Sequence, residues 1–490
     1  MSNKVSYLPY YFGSLLLAFL FCLRFSITTS FLFNIQGEDS AMFYLMGKSW
    51  TEGYLPYVSL WDHKGPLIFF INSLGHLLTG TKLGVFIIQT VSLSFFVYFT
   101  FLTFRKRFSD LASAGLVVTS LFWLGCSYEG GNLTEEYLLP FLALSIYLTY
   151  NWLEQCKDGN KEHNPWNAFL LGFILGFSFL TRLTNALGSC GMMLGIGLIL
   201  LVNQRWKNLL WNVVAYVAGF LVITAPFVIY FQAHGALHEM MFGTILYNLT
   251  NVEFTANKTI ANGPGAANFI KFCILAINSL GLILVSLYSF IFVKEKRESA
   301  LVWFLASLFL SLWFLKSNMS AHYRTLAVPF FTVLIIELWD LRSHMPKAIP
   351  TVIACGLIAL PLFQTGKKLL DYGVYFDNSE ELAAAADYVR ENVPQEDMDA
   401  FVQYQGSQGI YLLLDVVPCY HNYSFQETQA GKSPVLAEDV VKEFSTCKAK
   451  YILSRGNDGL IRDILDTKYE PLPSRKCKNE TYQLYKRLED

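Results

Sequence analysis

The chain is 490 residues long, 53% hydrophobic, 16% aromatic and 15% charged, with a mean hydropathy of +0.36. That composition is that of a polytopic membrane protein and excludes an ordinary soluble domain. A net charge of −1 provides no global field for nucleic acid or a strongly anionic partner, so any charge-driven recognition is local.

Residues 1–9 carry one lysine, and the apolar run from Tyr10 to Phe33 is longer than a signal-peptide core and lacks an A-x-A cleavage pattern. It reads as an uncleaved first span. A polar stretch, Asn34 to Gly80, follows. Within it Asp39 and Ser40 are N-cap candidates for a helical run with Phe43, Met46 and Trp50 at helical spacing. Gly53, Pro56, Gly65 and Pro66 break the chain, which predicts a helix along the membrane surface, a turn, and a second short helix from Pro66. The stretch holds the densest chemistry in the chain: Glu38 and Asp39, then Trp61-Asp62-His63-Lys64-Gly65-Pro66. A carboxylate takes a proton, and a lysine holds a phosphate.

Apolar runs able to cross a hydrocarbon core of about 30 Å recur through the first three quarters of the chain. They place spans near 10–33, 82–104, 109–126, 136–153, 167–181, 185–202, 209–231, 267–293, 299–316, 325–341 and 347–364, about eleven in all. With the N-terminus inside, the short inner segments carry about 13 Lys/Arg against about 8 in much longer outer loops, as the positive-inside rule expects. The predicted topology is N-terminus cytoplasmic with loops 34–81, 127–135, 232–266 and 317–324 and the whole tail outside. The sequons at Asn132, Asn248, Asn257, Asn318, Asn422 and Asn479 fall on that side and read as chance occurrences in polar loops.

The tail changes character. From Ser379 helical runs (379–392, 434–449, 460–468) alternate with strand-like ones (399–404, 450–455, 481–488), the pattern of a small α/β domain. The expected division is a membrane domain over 1–364 and an extracytoplasmic domain over 365–490. Gln405 to Gly409 reads as a turn, and no P-loop or G-x-G-x-x-G is present. The nine cysteines show no CxxC or metal-ligand spacing; Cys419, Cys447 and Cys477 in the tail allow one disulfide and one thiol.

Each candidate residue has a bland reading beside the functional one. Glu38 and Asp39 suit any helix N-terminus, and Lys64 suits a snorkelling interfacial lysine; their occurrence together in one outer loop favours function. Arg182, at the joint of two short apolar segments, needs a partner: a phosphate, or a carboxylate such as Glu135 or Glu136. Glu136 reads as a helix cap and Glu135 stays open. His322 and Arg324 are phosphate or sugar contacts, or with Tyr323 simply interfacial anchors. Arg24 inside the first span requires a partner or the interface.

Together these residues resemble the membrane glycosyltransferases that use polyprenyl-phosphate sugars. The chain is similar to glycosyltransferase family 39 and its relatives of the GT-C fold, the protein O-mannosyltransferases and the aminoarabinose transferase of lipid A. The resemblance rests on the acidic pair after the first span, Gly53-x-x-Pro56-Tyr57, Asp62-His63-Lys64-Gly65-Pro66, Thr181-Arg182, and His322-Tyr323 before a late span, in order over residues 10–340. It implies an α-helical polytopic enzyme in which Asp39 is the base and Lys64 meets the lipid-linked phosphate. It further implies Arg182, His322 and Arg324 as phosphate-side cations and Trp61, Asp62, His63, Glu135 and Tyr323 as substrate-side groups. The pair reads Glu-Asp where mannosyltransferases have Asp-Glu, so Glu38 stands beside Asp39 as an alternative base. Gly-Pro after Lys64, where aminoarabinose transferases have Pro-Pro, bears on the donor sugar. The tail resembles extracytoplasmic domains of bacterial members, which implies a bacterial inner or plasma membrane.

A lipid-linked sugar phosphate is already activated, so a base for the acceptor and a cation for the leaving phosphate suffice, and direct displacement inverts the anomeric carbon. No cofactor is evident; no ligand cluster implies a metal, although acidic residues at such a site are able to recruit one. The expected partners are the donor, a lipid, glycan or protein acceptor, and membrane lipids, with no nucleic acid. The competing reading is a carrier or flippase of lipid-linked sugars, which calls for ionisable groups or broken helices at mid-membrane.

Overall fold

The computed structural model describes residues 8–29, 38–249, 270, 272–274, 276–317, 320–370, 373–456 and 458–488. The sequons at Asn257 and Asn318 and the beginning of the span expected over 267–293 lie outside the described residues. In chain order the helices are α1 (Leu8–Phe25), α2 (Glu38–Thr51), α3 (Pro66–Thr79), α4 (Leu83–Phe104), α5 (Asp110–Gly125), α6 (Thr134–Lys157), α7 (Pro165–Phe179), α8 (Leu187–Val202), α9 (Trp206–Ala233) and α10 (Leu237–Met241). They continue as α11 (Ile277–Phe292), α12 (Arg297–Lys316), α13 (Val328–Asp340), α14 (Ala348–Leu370), α15 (Gly373–Asn392), α16 (Gly409–Leu414), α17 (Gln426–Ala430), α18 (Pro434–Ser445) and α19 (Arg462–Lys468). Among the described residues, six helical stretches are long and apolar enough to cross a membrane, and four apolar helices of 10–17 residues are shorter. The chain is thus an integral membrane protein by helix length and composition. It packs as two compact units, one of residues 1–26, 87–229 and 255–370, the other of residues 27–86, 230–254 and 371–490.

The first unit holds the apolar bundle. α9 leaves Leu210, Val214, Val217 and Leu221 exposed, the face of a helix whose neighbour is lipid. At one end of the bundle, ion pairs tie together the segments read as inner loops: Arg107 to Glu154 (2.8 Å) and Asp340 (3.1 Å), Lys161 to Glu298 (2.5 Å), and Lys296 to Glu337 (2.6 Å) and Asp340 (3.0 Å). The Asn208 side-chain oxygen accepts from the His163 N–H, bringing in the 203–208 loop. Arg24 donates to the carbonyls of Lys368 (2.6 Å) and Leu369 (3.1 Å), groups at the C-terminal end of α14 that a cation satisfies.

The second unit is built on a helical hairpin. Pro66 opens α3 at its first position, where the sequence predicts a short helix, and Gly80 in the left-handed conformation caps its other end. α2 begins at Glu38, so Asp39 and Ser40 lie in its first turn instead of capping it. α2 and α3 run antiparallel and nearly touch at Gly47, where an added Cβ would stand 2.7 Å from the Ser73 nitrogen. Ser73 donates to the Gly47 carbonyl at 2.8 Å there, and one turn away the Tyr44 hydroxyl meets His76 Nδ1 at 2.9 Å.

The tail forms a five-stranded sheet of β1 (Phe401–Tyr404), β2 (Tyr451–Ser454), β3 (Tyr469–Pro471), β4 (Arg475–Cys477) and β5 (Glu480–Arg487). β1 pairs parallel with β2 (Val402 opposite Ile452), while β5 runs antiparallel to β2, β3 and β4. Its core joins Val402, Ile452 and Tyr485 to Val440 and Phe444 of α18. All nine cysteines are thiols.

Candidate active site

The sequence-predicted residues divide between the units. Glu38, Asp39 and the Trp61–Lys64 loop belong to the second; Glu135, Arg182, His322, Tyr323 and Arg324 belong to the first.

In the second unit, Asp39 is half-buried in the first turn of α2, and Lys64 stands half-buried just before α3. The connecting loop is held by many bonds. Tyr57, fully buried and left-handed at φ 68°, donates its hydroxyl to the Lys64 carbonyl at 2.6 Å. Asn248 donates to the His63 carbonyl at 2.8 Å. Gly243 lies so close that a Cβ would fall 2.8 Å from the Asp62 carbonyl oxygen. Asp62 is wholly buried; its Oδ1 accepts the His63 N–H at 2.5 Å and lies 3.1 Å from His63 Nδ1. Burial pushes the Asp62 carboxyl up, but the charges of His63 and Lys64 and the His63 hydrogen bonds outweigh it and hold it below the usual carboxylate range. Its Oδ2 meets no hydrogen-bond partner among the described residues. Lys64 Nζ is 2.9 Å from His63 Nε2, so Asp62, His63 and Lys64 form a chain that ends in an ammonium group. Trp61 is buried against Tyr247 (ring centroids 5.0 Å apart) and Leu436. A cavity of about 210 Å³ lies further along α2, among Tyr44, Lys48, His76, Lys82, Leu412 and Asp415.

The first unit gathers the other group. Arg182 reaches Glu135 at 3.4 Å, bonds the Tyr323 hydroxyl and lies over the Tyr323 ring at 4.3 Å from its centroid. His322 Nδ1 is 2.7 Å from Glu129. Arg324 is buried, with Nη1 3.4 Å from Gln364. Glu136, in the first turn of α6 behind the N-cap Leu133, accepts from the Asn132 N–H (2.7 Å), the Tyr128 hydroxyl (2.5 Å) and Gln89 (2.9 Å). The carboxylate partner of Arg182 is therefore Glu135. Among the described residues no group of three or more His, Cys, Asp or Glu is disposed to hold a metal.

Residues 63–230 match the family model described as dolichyl-phosphate-mannose-protein mannosyltransferase, beginning inside the His63-Lys64 motif. Among solved structures, ArnT from Cupriavidus metallidurans bound to undecaprenyl phosphate is similar at 11% identity, with 99% of this chain and 98% of that one covered and a TM-score of 0.51. Its apo form gives 0.52 at 11% identity, over 97% and 96% of the two chains. The Archaeoglobus fulgidus oligosaccharyltransferase AglB, in complex with an inhibitory peptide and a dolichol-phosphate, gives 0.50 at 14% identity over 92% of this chain and 70% of that one. No curated protein sequence matches the chain. The chain has the GT-C fold. The resemblance read from its motifs thus holds in both the family match and the architecture.

On this GT-C frame several loop-holding residues carried no sequence signal. The Trp61 N–H donates to the His421 carbonyl at 3.1 Å, and His421 Nδ1 lies 3.0 Å from the Val58 carbonyl. Tyr423 is buried, and its phenol is pushed well up by burial and then by the Asp62 charge. Ser424 meets Met42 Sδ of α2 at 3.8 Å. Tyr57 had a signal, the Pro56-Tyr57 pair; the tail residues had none.

Proposed function

We propose that the chain transfers a sugar from a polyprenyl-phosphate donor to an acceptor hydroxyl on the extracytoplasmic face, with inversion at the anomeric carbon. The observation that carries the reading is the Lys64 ammonium. It stands half-buried at the end of the Asp62–His63 chain, in a loop bonded at Tyr57 and Asn248, where the family match begins. The phosphate-bound polyprenol of ArnT and the dolichol-phosphate of AglB support the donor class. The inhibitory peptide bound to AglB supports a protein acceptor among the candidates; lipid and glycan acceptors fit the same chemistry.

In the reaction Asp39 takes the acceptor proton as the acceptor oxygen forms its bond to the anomeric carbon. The bond from that carbon to the phosphate oxygen breaks with its electron pair, and Lys64 stabilises the departing phosphate. Glu38 neighbours Asp39 as the alternative base. Arg182, His322 and Arg324 add positive charge for the phosphate, and His63, Glu135 and Tyr323 are polar groups for the substrate. Trp61 and Asp62, being buried, support the loop. The Lys/Arg asymmetry supports a cytoplasmic N-terminus and an extracytoplasmic tail, and the tail's resemblance to the extracytoplasmic domains of bacterial members supports residence in a bacterial inner or plasma membrane.

The test is to incubate the purified full chain with labelled polyprenyl-phosphate hexoses and pentoses and acceptor extracts, and to measure release of polyprenyl phosphate. Release coupled to labelled product is expected. Movement of intact donor across proteoliposomes without cleavage would establish the carrier reading instead.

A further inference from the structure

The loop that ends in Lys64 is fastened by residues more than 350 positions away in sequence. His421 takes the Trp61 N–H on its carbonyl (3.1 Å) and places its ring nitrogen 3.0 Å from the Val58 carbonyl, so one tail residue grips both ends of Val58–Trp61. His421 is itself held. Its N–H donates to Glu443 of α18, and Asn422 donates to Glu443 through its N–H (2.9 Å) and its side chain (3.0 Å), and to Asp439 at 2.9 Å. Behind this, Gln426 donates to the Asn422 carbonyl at 2.9 Å and accepts the Gln405 N–H at 3.0 Å at the end of β1. Trp61 meets the same helix through Leu436.

A buried loop whose polar groups must all be satisfied adopts one arrangement only when its partners are rigid. Here the rigid partner is α18 with the sheet behind it. The Lys64 ammonium is tied to His63 Nε2 at 2.9 Å, so its place follows the backbone at Trp61–Lys64.

We infer that the His421–Asn422 segment, braced by Glu443, is a positioning element of the donor-phosphate site and acts on phosphate binding through Lys64. This rests on the reading of Lys64 as the phosphate ligand. It also gives the tail a part in donor binding.

The test uses the full chain in nanodiscs with a fluorescent polyprenyl phosphate as probe. Glu443→Ala is expected to weaken binding about tenfold, the effect of one well-made buried hydrogen bond, and Glu443→Gln, whose amide accepts through one oxygen only, to restore part of it. Amide exchange should accelerate over residues 57–64 with no change in the β1–β2–β5 sheet. Lys64→Ala should weaken binding by itself, and the double variant Lys64→Ala/Glu443→Ala should be no weaker than Lys64→Ala. If Glu443→Ala fails to fold, His421→Ala, which removes the ring contact to Val58, carries the same comparison. Wild-type binding in Glu443→Ala beside a weakened Lys64→Ala overturns the inference alone, as does full additivity in the double variant. Wild-type binding in Lys64→Ala removes the donor reading and this inference with it.

Discussion

Separate substitutions at Asp39 and Lys64 should fail in different ways. Asp39→Asn keeps the shape of the first turn of α2 and removes only the base, so turnover should fall by roughly 10²–10⁴, about 2.7–5.5 kcal/mol of barrier. The accompanying loss of helix-dipole stabilisation, about 0.3–1 kcal/mol, is too small to imitate that. Donor affinity should hardly change, because a base touches the acceptor. On the proposed mechanism Lys64, half-buried and 2.9 Å from His63 Nε2, meets the phosphate before and during transfer. One charge-assisted bond contributes about 1.5–3 kcal/mol, so Lys64→Ala should weaken donor binding roughly 12- to 140-fold and lower turnover as well. The assays are equilibrium binding of a polyprenyl-phosphate sugar and single-turnover transfer on each purified variant. Equal loss of donor binding in both variants refutes the division of roles. Full activity in Asp39→Asn with an inactive Glu38→Gln moves the base to Glu38.

Tyr57→Phe leaves the Lys64 carbonyl without its 2.6 Å donor, so about 1–3 kcal/mol is lost from the loop and donor binding weakens while α2–α3 stays folded; unchanged binding would detach Tyr57 from the site. Gly243→Ala drives a Cβ to 2.8 Å from the Asp62 carbonyl oxygen and 3.0 Å from the Tyr57 ring, and should cost about 1–3 kcal/mol by overpacking, read as a lowered Tm together with weaker donor binding. The Asp62 carboxyl is depressed in the folded chain, so the stability it contributes is present above its unfolded pKa of about 4 and is lost as pH falls further. Melting curves from pH 7 to 3 should show that acid-side loss, and Asp62→Asn should flatten it; a steeper acid limb in the variant contradicts the sign. For topology, a membrane-impermeant thiol reagent on sealed cells should modify Asn479→Cys above the native-thiol background and leave Lys106→Cys untouched; labelling at position 106 inverts the arrangement.

Helices such as α5, α7 and α9 were readable because each is a continuous apolar run, expected over 109–126, 167–181 and 209–231; in the structure Ser109 accepts the Ala112 N–H before α5, and Asn164 and Pro165 open α7. The same held for α18, β2 and β5 in the tail. β3 and β4 were not readable. Each has three residues, and their place is set by pairing with β5, not by any pattern of their own. The motif half of the site was legible because chemistry and punctuation sit together between Glu38 and Pro66. Its fastening was not. Asn422 looks like a sequon from its neighbours Tyr423 and Ser424, yet it is 3% exposed and spends its side chain on Asp439 and Glu443. Asn132 reads the same way and is fully buried. A pattern of three adjacent residues carries no information about a partner 20 or 360 positions away, and it is those distant partners that determine whether a polar side chain is surface, ligand or brace. In this chain the braces on the Lys64 loop are supplied by Tyr57, Asn248 and His421, from three separate segments, so a substitution in the tail is expected to disturb the backbone that carries Lys64 without touching any residue of its motif.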